Sequence, residues 1–168
     1  TQALTMTPSG EIRLIESRSN REAAVDEVIA ATQRTLRIFD RCLSPDYNTR
    51  QRCSLLAALL QNAAGPRILI ALRDCDDIAR DHPRFALLAR QFSHRIEICR
   101  TLPHAVHAQD AFVIADDHSY VHRFHCDQPR ARHAVNDPGY ARLLIDRFSA
   151  IKEASEPGFA ATTLGLAP

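Results

Sequence analysis

Tryptophan is absent from this chain of 168 residues, methionine occurs once, and aromatic side chains make up 6% of the total. Proteins that hold single-stranded nucleic acid by base stacking need such rings along a groove, so that mode of binding is disfavoured. No charge of one sign dominates either: 21 Lys and Arg stand against 20 Asp and Glu, a net charge of +1. No global field therefore calls for a polyanionic partner, and nucleic acid is only weakly supported. Long hydrophobic runs are missing, with nothing near the ~18 apolar residues a membrane-spanning helix needs. The first residues carry no apolar export segment, so neither export nor membrane insertion is expected. The five cysteines (Cys42, Cys53, Cys75, Cys99, Cys126) are odd in number and include no Cys-x-x-Cys pair. They read as reduced, small core hydrophobes of a cytoplasmic protein. Gly-rich phosphate loops, internal repeats and low-complexity tracts are also absent, and no cofactor is indicated.

What is present is an ordinary soluble composition, 45% apolar and 24% charged, at a length suited to one domain with a proper core. Residues 1–10 read as a flexible leader, 11–155 as the domain, and 156–168 as a flexible tail rich in Gly, Ala and Pro. Within the domain, residues 11–16 suit a short edge strand. Ser19 and Glu22 form a capping-box pattern opening a helix that carries Val25, Val28 and Ile29 on one stripe. Residues 35–43 alternate as a strand and run into the turn formers Ser44, Pro45 and Asp46. A helix over 49–64, with Cys53, Leu56 and Leu60 on one side, closes at Gly65 and Pro66. Residues 68–72 form a buried strand, 80–92 a helix with Phe85, Leu88 and Phe92 aligned, and 95–99 an alternating strand. Asp110-Ala-Phe-Val-Ile-Ala-Asp116 is a short, continuously apolar run bracketed by charge, the mark of a strand covered on both faces. Turn formers follow it, then a return strand over 120–124, giving a hairpin. Asp137 and Pro138 are placed as N-cap and first residue of a last helix lined by Tyr140, Leu144, Phe148 and Ile151. The expected fold class is α/β, one mixed β-sheet flanked by helices on both faces.

The hairpin region resembles the core of the phospholipase D superfamily, whose pattern is His-x-Lys-x-x-x-x-Asp, then Gly-Ser-x-Asn, then often Pro-Arg-Ser-Arg. Anchored on Asp116, the family histidine falls on Gln109 and the lysine on Ala111. The Gly-Ser pair falls on Arg123 and Phe124, and the asparagine on Cys126. The same register brings Pro129-Arg130-Ala131-Arg132 onto Pro-Arg-Ser-Arg without a gap. The resemblance covers about residues 20–155 and implies a phospholipase D-like half-unit. Active members pair two motifs, one histidine attacking phosphorus and the other protonating the leaving oxygen. Gln109 is no such nucleophile and Ala111 carries no charge, so the resemblance implies a degenerate, non-catalytic member. It also implies a possible homodimer about a two-fold axis near Gln109 and Arg123.

Histidines and arginines crowd this region: His104, His107, His118, His122, Arg123, His125, Arg130, Arg132 and His133. Three readings stay open. They are solvated loop residues; or His122, Arg123, Arg130, Arg132 and His107 form an anion pocket at the old phosphate site; or His104, His107, His122 and His125, with Cys126, Asp116 and Asp117, hold zinc. Strand alternation allows only one of His122 and Arg123 to face such a pocket. Asp40, Asp46, Arg41 and Tyr47 are further candidates for a cleft. The expected function is a non-catalytic module binding a phosphate-bearing ligand or a protein partner. The alternative is a phosphodiesterase or nuclease with displaced catalytic His and Asp residues.

Overall fold

The computed structural model describes residues 10–74, 77–102 and 108–158. Residues 1–9 of the expected leader, 159–168 of the expected tail, and His104, His107 and Cys75 lie outside the described residues. Eight strands form one mixed sheet in the order β1-β7-β6-β5-β2-β3-β4-β8. These are β1 (Ile12–Ile15), β2 (Thr35–Asp40), β3 (Arg67–Leu72), β4 (Ile96–Thr101), β5 (Ala111–Ala115), β6 (Ser119–Arg123), β7 (Ala131–Ala134) and β8 (Ser155–Pro157). Strands β2, β3 and β4 run parallel, and every other pairing is antiparallel. The helices are α1 (Arg18–Ala31), α2 (Arg50–Leu60), α3 (Ile78–Asp81), α4 (Pro83–Gln91) and α5 (Pro138–Glu153). Among the described residues no helix is long and apolar enough to cross a membrane.

Two cores explain the layering. On one face Val25, Val28 and Ile29 of α1, Leu56 and Leu60 of α2 and Phe85 of α4 pack on Leu36, Ile38, Ile70, Val113 and Val121. On the other, Leu144, Ile145, Phe148 and Ile151 of α5 cover Phe39, Phe112, Ile114 and Tyr120. Strand β5 is buried along its whole length, sending Val113 and Ala115 to the first core and Phe112 and Ile114 to the second. Burial on both faces is what its unbroken apolar run requires.

Several local expectations are corrected. The cap of α1 is Ser17, whose Oγ accepts from the Asn20 amide at 3.2 Å. Ser19 lies inside the helix, and Glu22 is drawn instead to Arg52 at 2.8 Å. The strand expected to reach residue 43 stops at Asp40, and a 3-10 turn over Pro45–Asn48 follows, capped by Ser44. The helix expected to reach 64 ends at Leu60, and Gly65, at φ +70°, closes the turn to β3. The helix expected over 80–92 is two helices, because Pro83 has no N–H to continue the first and begins the second. Strands β7 and β8 are additions to the sequence reading, and β8 pairs Pro157 and Glu156 with Cys99 and Arg100. Asp137 stands at the start of α5 without a side-chain capping bond; its carboxylate accepts from Tyr120 and Arg132 instead.

Candidate functional site

Three strand ends meet at mid-sheet: the end of β2, the start of β5 and the end of β6, with Phe39 opposite Phe112 and Ala111 opposite Arg123. The first turns of α1 and the 3-10 turn close over them and leave a cleft of about 320 Å³. Ala111, Arg123 and Cys126 line it. These are the positions that the phospholipase D register gives to the lysine, the first letter of Gly-Ser, and the asparagine. The cleft therefore stands where that register puts three of the motif positions, with other residues in their place. Gln109, at the nucleophile's position, is exposed; its backbone oxygen accepts from the Cys126 amide at 2.7 Å. Asp116, the letter that is kept, works elsewhere. Its carboxylate receives the amides of Gln33, Arg34 and Thr35 at 3.1, 2.7 and 2.9 Å. Burial opposes its ionisation, but those three amides outweigh burial and hold the carboxyl below its ordinary value.

The cleft carries Arg18, Arg21, Arg41, Arg52 and Arg123 against Glu22 and Asp40. Most of these cations are engaged. Arg52, 2% exposed, binds Glu22 and Asp26, both at 2.8 Å, and lies over the Tyr47 ring. Arg18 pairs with Asp46 and Arg41 with Asp127. Arg21 and Arg123 are left. Arg21 donates to the Pro129 carbonyl at 3.3 Å and meets Glu22 only at 3.5 Å. Arg123 donates its Nε–H to the Gln128 carbonyl at 2.6 Å and has no carboxylate partner among the described residues. Burial lowers the Arg21 pKa, and the like charge of Arg123 lowers it further. Asp40 sits between these groups. Its carboxylate accepts from the Arg41 amide at 2.7 Å and ion-pairs with neither guanidinium. Burial pushes it up to about 6, against the Arg41 amide and the charges of Arg123 and Arg21.

Of the expected anion-pocket residues that are described, only Arg123 reaches the cleft. His122, its neighbour on β6, points to the α5 face, as alternation demands. There Nε2 meets Asp110 and Nδ1 meets the Tyr140 hydroxyl, both at 2.7 Å. Arg147 also grips Asp110, one bond measuring 2.8 Å. Burial disfavours the Asp110 anion, yet the bonds from Arg147 and His122 hold its pKa well below the carboxylate range. Arg132, opposite His122, donates to the Tyr120 hydroxyl and to Asp137 and stacks on the Tyr140 ring. Arg130 is exposed outside the cleft, and His107 lies outside the described residues. The zinc grouping is likewise split: His122 faces α5, and Asp116, just after β5, is bonded to the amides that lead into β2. His125, Cys126 and Asp127 keep donor atoms within 4.8 Å of one another. Cations already face two of them: Arg73 donates to the Cys126 sulfur at 3.5 Å and Arg41 meets Asp127 at 3.3 Å.

Arg21 was not among the sequence candidates, yet a signal exists. It stands four residues before Val25, on the stripe that α1 turns to the core, and a buried arginine there must face something polar. Arg52 repeats the pattern four residues before Leu56 on α2.

Comparison with solved structures sets this arrangement in context. The chain is similar to Nuc from Salmonella typhimurium, a phospholipase D family member (TM-score 0.66, 11% identity, 90% of this chain and 99% of that one). It is similar to NucT from Helicobacter pylori (TM-score 0.59, 10% identity, 89% and 99%). TrmBL2, an archaeal chromatin protein described as binding DNA, matches at TM-score 0.64 and 10% identity, over 92% of this chain and 56% of that one. No curated protein matches the sequence. The fold is thus phospholipase D-like, and the matched family model covers residues 17–161: the chain belongs to the family described as "Domain of unknown function (DUF7931)".

Proposed function

We propose that the protein is a non-catalytic phospholipase D-like module whose cleft binds a small phosphate-bearing ligand. The observation that carries this reading is Arg123, a guanidinium facing the cleft with no carboxylate partner among the described residues, beside Arg21, whose one carboxylate contact there is Glu22 at 3.5 Å. Like charges placed together cost free energy unless an anion joins them, and a guanidinium fork suits phosphate oxygens. The cleft volume stands at the lower end of the range for small-molecule sites. Loss of catalysis follows from Gln109 and Ala111 at the nucleophile and lysine positions, and a second copy of the chain repeats the same defect. No histidine is among the described residues lining the cleft, which disfavours a displaced phosphodiesterase centre.

A few charge-assisted hydrogen bonds at a partly open site support roughly millimolar affinity, about 4 kcal/mol. Phosphate titration followed by NMR is expected to shift amides around Asp40, Ala111 and Arg123, and Arg123→Ala to weaken binding about tenfold or more. Shifts scattered over the surface, or unchanged in Arg123→Ala, contradict the reading. Nitrophenyl phosphodiesters are expected to stay intact with or without divalent metal. Turnover that disappears on mutating Asp40 or a clustered histidine overturns the non-catalytic part.

A further inference from the structure

The cleft contains one feature that an ordinary phosphate site lacks, a carboxylate set among the cations meant for the anion. Asp40 ends β2 inside the cleft. Arg123 from β6 and Arg21 and Glu22 from α1 surround it, as do Cys42 and Tyr47 from the segment after β2. Among the described residues its carboxylate accepts one hydrogen bond, from the Arg41 amide, which leaves the second oxygen to accept from a ligand. An anion drawn in by Arg21 and Arg123 brings its own oxygens against this carboxylate. Two acceptors face each other there, and the contact is repulsive unless one of them holds a proton.

Resting on the anion-binding reading above, we infer that the cleft selects oxyanions that carry their own proton, phosphomonoesters or inorganic phosphate, over diesters and sulfate, because only the former can donate a P–O–H hydrogen bond to Asp40. No covalent step is involved: the phosphoryl O–H donates, the Asp40 oxygen accepts, and the remaining phosphoryl oxygens take the guanidinium N–H groups. A phosphomonoester gives up its second proton near pH 6, close to where burial places Asp40, about 6. Groups matched in this way share a proton readily. The preference runs against the diester chemistry implied by the phospholipase D resemblance.

A charged hydrogen bond made with one ligand and replaced by repulsion with the other separates affinities by about 10- to 100-fold. Calorimetric or NMR titration of the whole chain at about pH 7.5 is therefore expected to give phosphate at least a tenfold advantage over sulfate. Phenyl phosphate, which has largely lost its second proton at that pH, should gain its advantage over methyl phenyl phosphate only as pH falls towards about 6. Sulfate binding should strengthen as pH falls through about 6, once Asp40 carries its own proton. In Asp40→Asn, whose amide donates to either anion, sulfate should bind as well as phosphate. The wild-type comparison needs no variant to fold, and far-UV circular dichroism checks Asp40→Asn. If phosphate and sulfate bind equally and Arg123→Ala weakens both, proton sharing is overturned while the anion site stands. If neither anion binds, the anion-binding reading fails and this inference falls with it.

Discussion

Asp40 also makes a stability argument at the scale of the single residue. Its folded pKa of about 6 lies above the ordinary 3.8, so between those values the folded state binds more protons than the unfolded one. Stability therefore falls as pH rises from about 4 to about 6, and the full penalty stands above that. Asp40→Asn removes the buried charge and is expected to stabilise the protein at pH 7.5 by at most about 3 kcal/mol. Near pH 4 the gain should vanish. Urea unfolding at the two pH values checks this, and equal gains at both would place the effect outside Asp40 ionisation. A residue that weakens the fold where it lies in a cleft is what a binding role tolerates.

At the scale of elements, the β5–β6 hairpin is tied to the rest of the sheet through its turn. Asp116, at φ +54°, ends β5 and receives the three amides that lead into β2. Asp116→Ala takes the carboxylate from those three part-buried hydrogen bonds, and a loss of about 1–3 kcal/mol is expected. Asp116→Asn keeps an acceptor and tolerates the left-handed backbone, so it should recover part of the loss. Thermal unfolding of the three proteins measures it, and a neutral Asp116→Ala would show that water replaces the carboxylate without cost. The one letter of His-x-Lys-x-x-x-x-Asp that is kept here therefore has a structural task. The paired helices α1 and α2 are fixed in a related way, by Arg52 bridging to Glu22 and Asp26, which also sets the wall of the cleft.

At the scale of the whole molecule, pH acts through groups that oppose each other. His133 is 3% exposed, its Nε2 has no hydrogen-bond partner among the described residues, and Glu27 stands 3.8 Å away. Burial lowers its pKa from 6.5, only partly offset by Glu27. The unfolded chain thus takes a proton that the folded one refuses, and stability drops as pH falls below about 6.5. Asp40 has the opposite slope between about 6 and 4. The wild-type profile is expected to be shallow there, and Asp40→Asn should expose a decline that His133→Leu removes. Melting curves across that range decide it, and a flat profile in Asp40→Asn would exclude His133 as an acid-sensitive group. Much of this architecture was legible in the sequence. The unbroken apolar run of β5, the turn formers after it, and the stripes on α1, α2 and α5 are local periodicities, and local periodicity determines which faces must be buried. The phospholipase D register puts motif positions at Ala111, Arg123 and Cys126, and these three line the cleft. The short strands β7 and β8 carried no such signal, since four- and three-residue segments exist only through the neighbours they pair with. Which charged groups meet was also a tertiary matter. Spacing along β6 showed that His122 and Arg123 must part, but the packing of α5 on one face and α1 on the other decided which of them would face the cleft. Arg21 and Asp40 lie nineteen positions apart in the chain. The packing of α1 on β5 and β6, beside the end of β2, brings them together, because a site built from side chains on different elements is defined by packing and not by sequence distance.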